Sequence, residues 1–135
     1  MKVIVTSILV DDQDKALKFY TEKLGFVKKT ELPVGDAKWL TVISPEGNID
    51  VEVLLEPNWN PSIQIEGKPA AAEYQKILFN ANIPATVFGT DDIHKEYERL
   101  KGLGVRFTTP PAPMGQVTMA IFDDTCGNLI SIAQQ

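Results

Sequence analysis

The chain repeats itself, and that repetition constrains its fold more than any other feature. Asp11-Asp12, followed by Ala16, Leu17 and Tyr20 and closed by Leu24-Gly25-Phe26, returns as Asp91-Asp92 with Ile93, Tyr97, Leu100 and Leu103-Gly104-Val105. Ser44-Pro45-Glu46-Gly47-Asn48 returns eighty positions later as Asp124-Thr125-Cys126-Gly127-Asn128. Three matches in one order at nearly one offset mark a duplicated module.

Each copy carries the same local physics. The Asp pair caps a helix by accepting the unpaired amides of its first turn. The apolar residues that follow share one helical face, and Gly25 and Gly104 stand where a left-handed residue ends a helix. Extended segments flank the helices: Val3 to Val10, Val27 to Leu32, Lys38 to Ile43 and Val51 to Leu55, then Ala85 to Thr90, Arg106 to Thr109, Val117 to Phe122 and Leu129 to Ile132. Gly47-Asn48 and Gly127-Asn128 suggest positive-φ hairpin turns. Between the copies, Asn58-Trp59-Asn60-Pro61 breaks the pattern. Pro69 to Asn80 then has Ala71, Tyr74, Ile77 and Leu78 at helical spacing.

The expectation is an α+β fold in which duplicated βαβββ modules form a curved mixed sheet around a cleft. At 135 residues the chain is one domain, 1–135, with a first module over 1–57, a connector with a short helix over 58–80 and a second module over 81–135.

Composition narrows the function. The net charge is −5, with no cluster of Lys or Arg, which argues against nucleic acid and anionic membranes as partners. No apolar run reaches the roughly 20 residues that span a bilayer. One cysteine allows no internal disulfide, which fits the cytoplasm. One histidine, His94, and one thiol exclude zinc sites built on several imidazoles or thiolates.

The order strand, helix, three strands, twice, with Val10-Asp11-Asp12, Phe19-Tyr20, Leu24-Gly25-Phe26 and a closing Gly-Asn turn, resembles the vicinal oxygen chelate superfamily of glyoxalases, bleomycin resistance proteins and extradiol dioxygenases. The resemblance implies a homodimer and, in metal-dependent members, an ion held by two residues from each module. Carried over by spacing, those positions are Val5, Glu52, Ala85 and Ser131. Only Glu52 is a strong ligand. Thr6, Ser7 and Thr86 lie nearby as weak hydroxyl donors. The expectation is therefore no metal and no cofactor.

The residues expected to reach a small-molecule ligand are Trp39, Glu52, Met119 and Ser131. Glu52 is a cleft carboxylate for a cationic group or a solvated acid on an alternating strand. Trp39, Phe88 and Met119 are core filler or the floor of an apolar site. Trp59, in a polar loop, is assigned to an interface. His94 reads as a helix-surface residue, Cys126 as a turn thiol, and Arg106 and Lys38 as solvated strand residues.

The first functional reading is a small-molecule-binding protein of the bleomycin-resistance type, with an apolar cleft and no bound metal. The alternatives are a metal-dependent lyase or dioxygenase resembling glyoxalase I, and a non-catalytic dimerising scaffold or regulator.

Overall fold

A computed structural model describes residues 1–135. The first module runs β1 (Val5–Val10), α1 (Gln13–Lys18), β2 (Val27–Val34), β3 (Ala37–Ile43) and β4 (Glu52–Pro57). The connector holds a small hairpin, β5 (Gln64–Ile65) and β6 (Lys68–Pro69), then α2 (Ala70–Asn80). The second module runs β7 (Thr86–Gly89), α3 (Ile93–Gly102), β8 (Phe107–Met114), β9 (Val117–Asp123) and β10 (Leu129–Gln134). The sheet orders match, β1-β4-β3-β2 and β7-β10-β9-β8. In each, the strand before the helix pairs in parallel with the last strand. The fold is α+β, and the two four-stranded sheets share no hydrogen-bonded strand pair.

Asp12 and Asp92 cap α1 and α3 by accepting the amides of Lys15 and Lys95, each at 3.0 Å. Gly25 and Gly104 end the helical segments at φ +82° and +84°. The copies differ between cap and stop. Asp12 to Gly25 is one residue longer than Asp92 to Gly104. A π-helical turn over Phe19–Lys23 absorbs the extra residue, whereas α3 stays α-helical.

Two local expectations are corrected. Gly47 does not have positive φ. The left-handed glycines of the tight hairpins are Gly35 between β2 and β3 and Gly115 between β8 and β9. In α2 the buried residue is Gln75, while Tyr74 and Ile77 are exposed. Helical spacing correctly indicates a helix there, with Ala71 and Leu78 half-buried and the Gln75 carboxamide, hydrogen-bonded to backbone carbonyls, the group most deeply inserted.

Both helices bury their apolar sides in one shared core. Ile8, Val10, Ala16, Phe19, Tyr20, Leu40 and Leu55 pack with Ile93, Leu100, Phe122, Ile130 and Ile132. Rings meet across the modules, Phe19 against Phe122 at 6.1 Å and Phe26 against Phe88 at 5.1 Å. Each fully buried aliphatic or aromatic side chain contributes about 1.5–3 kcal/mol, so neither module is independent of the other.

The turn at 124–128 fastens both modules to the connector. The buried Asp124 carboxylate accepts from the Tyr20 hydroxyl at 2.8 Å, the Cys126 and Asn128 amides at 2.8 and 3.0 Å, and the Asn128 side chain at 2.7 Å. Burial raises its pKa, and these donors pull it back. Gln75 Nε2 donates to the Leu9 and Cys126 carbonyls and to Asn128 Oδ1, while Gln75 Oε1 accepts from Asn58.

Gly127 sits at φ +100°, and a Cβ there would lie 2.7 Å from Gln75 Nε2. Gly35 also has positive φ, +58°, but open space around it. Gly35→Ala should therefore cost about 1 kcal/mol of backbone strain, and Gly127→Ala at least about twice that. Urea unfolding midpoints measure both. Equal losses would mean that the contact with Gln75 is not tight.

Candidate functional site

Strand alternation assigns each sheet an inner and an outer face. Leu40 and Val42 of β3 and Val53 and Leu55 of β4 lie in the core. Trp39, Thr41, Glu52, Leu54 and Glu56 therefore lie on the face turned away from the helix. In the second sheet Ala120, Phe122, Ile130 and Ile132 lie in the core, which puts Met119, Ile121 and Ser131 on the outer face.

The four residues expected to reach a ligand thus divide between two outer faces. Trp39 is 43% exposed on the first. Glu52 opens β4 beside Val5 and forms an ion pair with Lys29 at 3.3 Å. The neighbouring Thr41 hydroxyl, then Lys29, hold the Glu52 carboxyl below its usual range. Met119 and Ser131 share the second face, where Ser131 is fully buried and its Oγ has no hydrogen-bond partner in the protein. Ser131 pairs with Val87. Continuing that register, the position matching Glu52 is Leu129, whose carbonyl accepts the Ala85 amide at 2.8 Å.

These donors do not fit a divalent ion. Glu52 is already matched by Lys29, and Val5, Ala85 and Leu129 offer no side-chain lone pair. No group of three His, Cys, Asp or Glu side chains converges anywhere in the chain. His94 is exposed on α3.

The two sheets differ where a pocket forms. β9 and β10 pair at six successive positions, from Leu129↔Asp123 to Gln134↔Thr118. β3 and β4 pair only at Thr41↔Leu54 and Val42↔Val53. Beyond those pairs the buried Gln13 side chain stands between the strands. Its Nε2 donates to the Lys38 and Leu55 carbonyls, each at 2.8 Å, and its Oε1 accepts the Lys38 amide at 3.0 Å. The matching residue of the second module is Ile93, which buries in the core and leaves the ladder closed.

A pocket of about 270 Å³ lies over the parted ends of β3 and β4. Trp39, Leu54, Ile63 and Ala71 supply apolar walls, and Glu56 and Asn60 the polar groups. Glu52, Met119 and Ser131 lie outside it. Lys38 contributes to the wall, but its ammonium is held by Asp14 at 2.7 Å and Glu31 at 3.0 Å. Glu56, two residues beyond Leu54 on the same face, has no cationic partner within 4.0 Å and accepts no side-chain hydrogen bond. Sequence reasoning missed Gln13, Glu56 and Ile63. The one available clue was the break at Gln13/Ile93 in an otherwise apolar repeat position.

A larger cavity, about 570 Å³, opens between the modules over Phe26, Phe88 and Phe122. Its cation is already committed: Arg99 pairs with Glu96 and donates to the Lys23 carbonyl at 2.9 Å. Glu46 in the larger cavity has no ion pair either, but only the smaller pocket sets an unmatched carboxylate in one lining with an exposed indole, and it is the better candidate site.

The glyoxalase/bleomycin resistance protein/dioxygenase superfamily model matches residues 2–132. The chain belongs to this superfamily. It is 57% identical over 135 residues, all of both chains, to the uncharacterized protein YurT of Bacillus subtilis (strain 168). Among solved structures it is similar to UcmS2, at 32% identity and TM-score 0.82 over 98% of this chain and 97% of that one. It is also similar to TnmS3, an antibiotic binding protein from Streptomyces sp. CB03234, at 26% identity and TM-score 0.74 over 99% and 95% of the two chains.

Cys126 is fully buried, and burial first, then the charges of Asp124 and Asp11, push its thiol up to about 12. The thiolate is the reactive form, so at pH 8 roughly one molecule in ten thousand carries it. A disulfide reagent should modify the native protein no faster than it unfolds, and completely in denaturant. Rapid stoichiometric reaction of the folded chain would show an accessible thiol.

Proposed function

We propose that this protein binds a small organic molecule on the outer face of its first sheet, through its own side chains and without a bound metal. The observation that carries the reading is the pocket over the parted β3–β4 ladder, with Trp39 exposed in its wall. Ligand sites are concave and mostly apolar, with a few polar anchors, and this pocket has that composition. The likeness to an antibiotic binding protein over nearly the whole chain supports the same class of activity. Glu52 flanks the pocket on the same face. Met119 is proposed to contribute from the second sheet's outer face, with the fully buried Ser131 beneath the surface there.

The test is a thermal-shift screen of aromatic and polycyclic compounds, followed by titration of hits with and without a chelator. A hit should quench tryptophan fluorescence, bind equally in chelator, and weaken at least about tenfold in Trp39→Ala, as expected for loss of a stacking ring and its apolar contact. Chelator-sensitive binding would instead favour the metal-dependent reading. If no compound shifts the melting point, the scaffold reading moves ahead.

We further propose that the protein is a homodimer. Leu32, Val34 and Trp39 on the first outer face, Val87 and Met114 in the second sheet, and Tyr74 and Ile77 on α2 are all 43–65% exposed. Apolar side chains in this number on sheet faces and one helix favour a covering surface. A second copy supplies one of matching character. Sedimentation at micromolar concentration should give about twice the chain mass of 14.9 kDa. A single species at the chain mass would overturn the dimer.

A further inference from the structure

We infer that the pocket between the parted ends of β3 and β4 selects an organic cation, an amine or quaternary ammonium carried on a flat apolar body, with Trp39 and Glu56 as its recognition pair. The inference rests on the small-molecule reading above and names the ligand class. Trp39 lies two residues before Thr41 and Glu56 two residues after Leu54, so by alternation both belong to the outer face where the ladder has parted. Both residues line the same pocket. A cation over an indole face is held by the ring's quadrupole, and a carboxylate in the same pocket adds charge attraction.

The surrounding charges make this acid the available one. Lys29 matches Glu52 at 3.3 Å. Lys28 and Lys38 both match Glu31, at 2.7 and 3.0 Å, and Lys38 also matches Asp14. Glu56 is therefore the face carboxylate whose charge the protein leaves unpaired. Among the remaining walls, Leu54, Ile63, Ala71 and Val34 are uncharged and suit the flat body, and the one charged residue, Lys38, has its ammonium held by Asp14 and Glu31. An anionic ligand would meet Glu56 with no cation free to offset it.

The pocket is also built, since Gln13 holds the strands apart with three hydrogen bonds from the core side. Glu56 and Trp39 are both solvent-accessible, so their joint preference for a cation over an isosteric neutral molecule should be about tenfold, and smaller at high salt.

The test uses three probes of one shape: naphthylmethylammonium, naphthylmethanol and naphthoate. Calorimetry gives the affinities, and the indole N–H resonance of Trp39, assigned with Trp39→Phe, reports where they bind. The ammonium probe should bind about tenfold tighter than the alcohol, with the naphthoate weakest. Glu56→Gln should reduce that gap to within about twofold and leave alcohol binding unchanged. Equal binding of ammonium and alcohol, with the Trp39 resonance moving, would overturn the cation preference and leave the pocket standing. A gap that survives Glu56→Gln but disappears in Glu52→Gln would assign the charge to the wrong acid here. If none of the three probes moves the Trp39 resonance, the small-molecule reading of this face fails together with the inference.

Discussion

The arrangement of this molecule depends on one buried turn. Residues 124–128 join β9 to β10 in the second module, yet they find hydrogen-bond partners elsewhere: Tyr20 from the first helical segment, Leu9 from β1, Gln75 from α2. A carboxylate and two carboxamides buried together would each cost several kcal/mol if left unpaired. Here nearly every polar atom has a partner, so the group is stable in one arrangement only. Hydrophobic packing between the modules is strong but tolerates sliding. The polar turn does not, and it sets how the two outer faces are presented.

Duplication supplies the scaffold, and the departures from it supply individuality. The extra residue before Gly25 is taken up as a π-helical turn, which carries Leu24 and Phe26 to the mouth of the inter-module cavity. Ile49, Asp50 and Val51 lengthen the turn before β4 relative to the turn before β10, so Glu52 and Leu129 share a register position despite the eighty-residue offset elsewhere. Gln13 in place of Ile93 opens one ladder and leaves the other closed. All three changes fall in the first module or on its border with the second. Function on a duplicated frame is expected to concentrate where the copies have diverged, because the shared positions are needed for the fold.

Much of the fold was legible from spacing. Asp caps, helix-ending glycines and the returning Gly-Asn turn are local signals, and local physics reads them directly. The site was less legible, for a reason visible in four residues. Gln13 and Gln75 are polar residues on helices, and taken alone such residues read as solvated. Their burial follows from the carbonyls they meet, 25 to 66 positions away in sequence. Glu52 and Glu56 are indistinguishable by pattern, both alternating with apolar residues on one strand. Only the bulge near Lys29, which brings its ammonium to Glu52, tells the paired acid from the unpaired one.

That distinction has a physical consequence for what this face can recognise. Glu52 lies beside a cation and a hydroxyl, so a charged ligand approaching it must first displace Lys29, and the gain from the new pair is offset by the loss of the old. Glu56 carries no such competitor, and the ring that shares its pocket is an indole, whose face attracts a cation as the carboxylate does. The closed second sheet has Ile121 and Met119 where the first has Thr41 and Trp39. It offers area without charge. The charge that can orient a ligand therefore lies on the first sheet, beside the gap that Gln13 maintains.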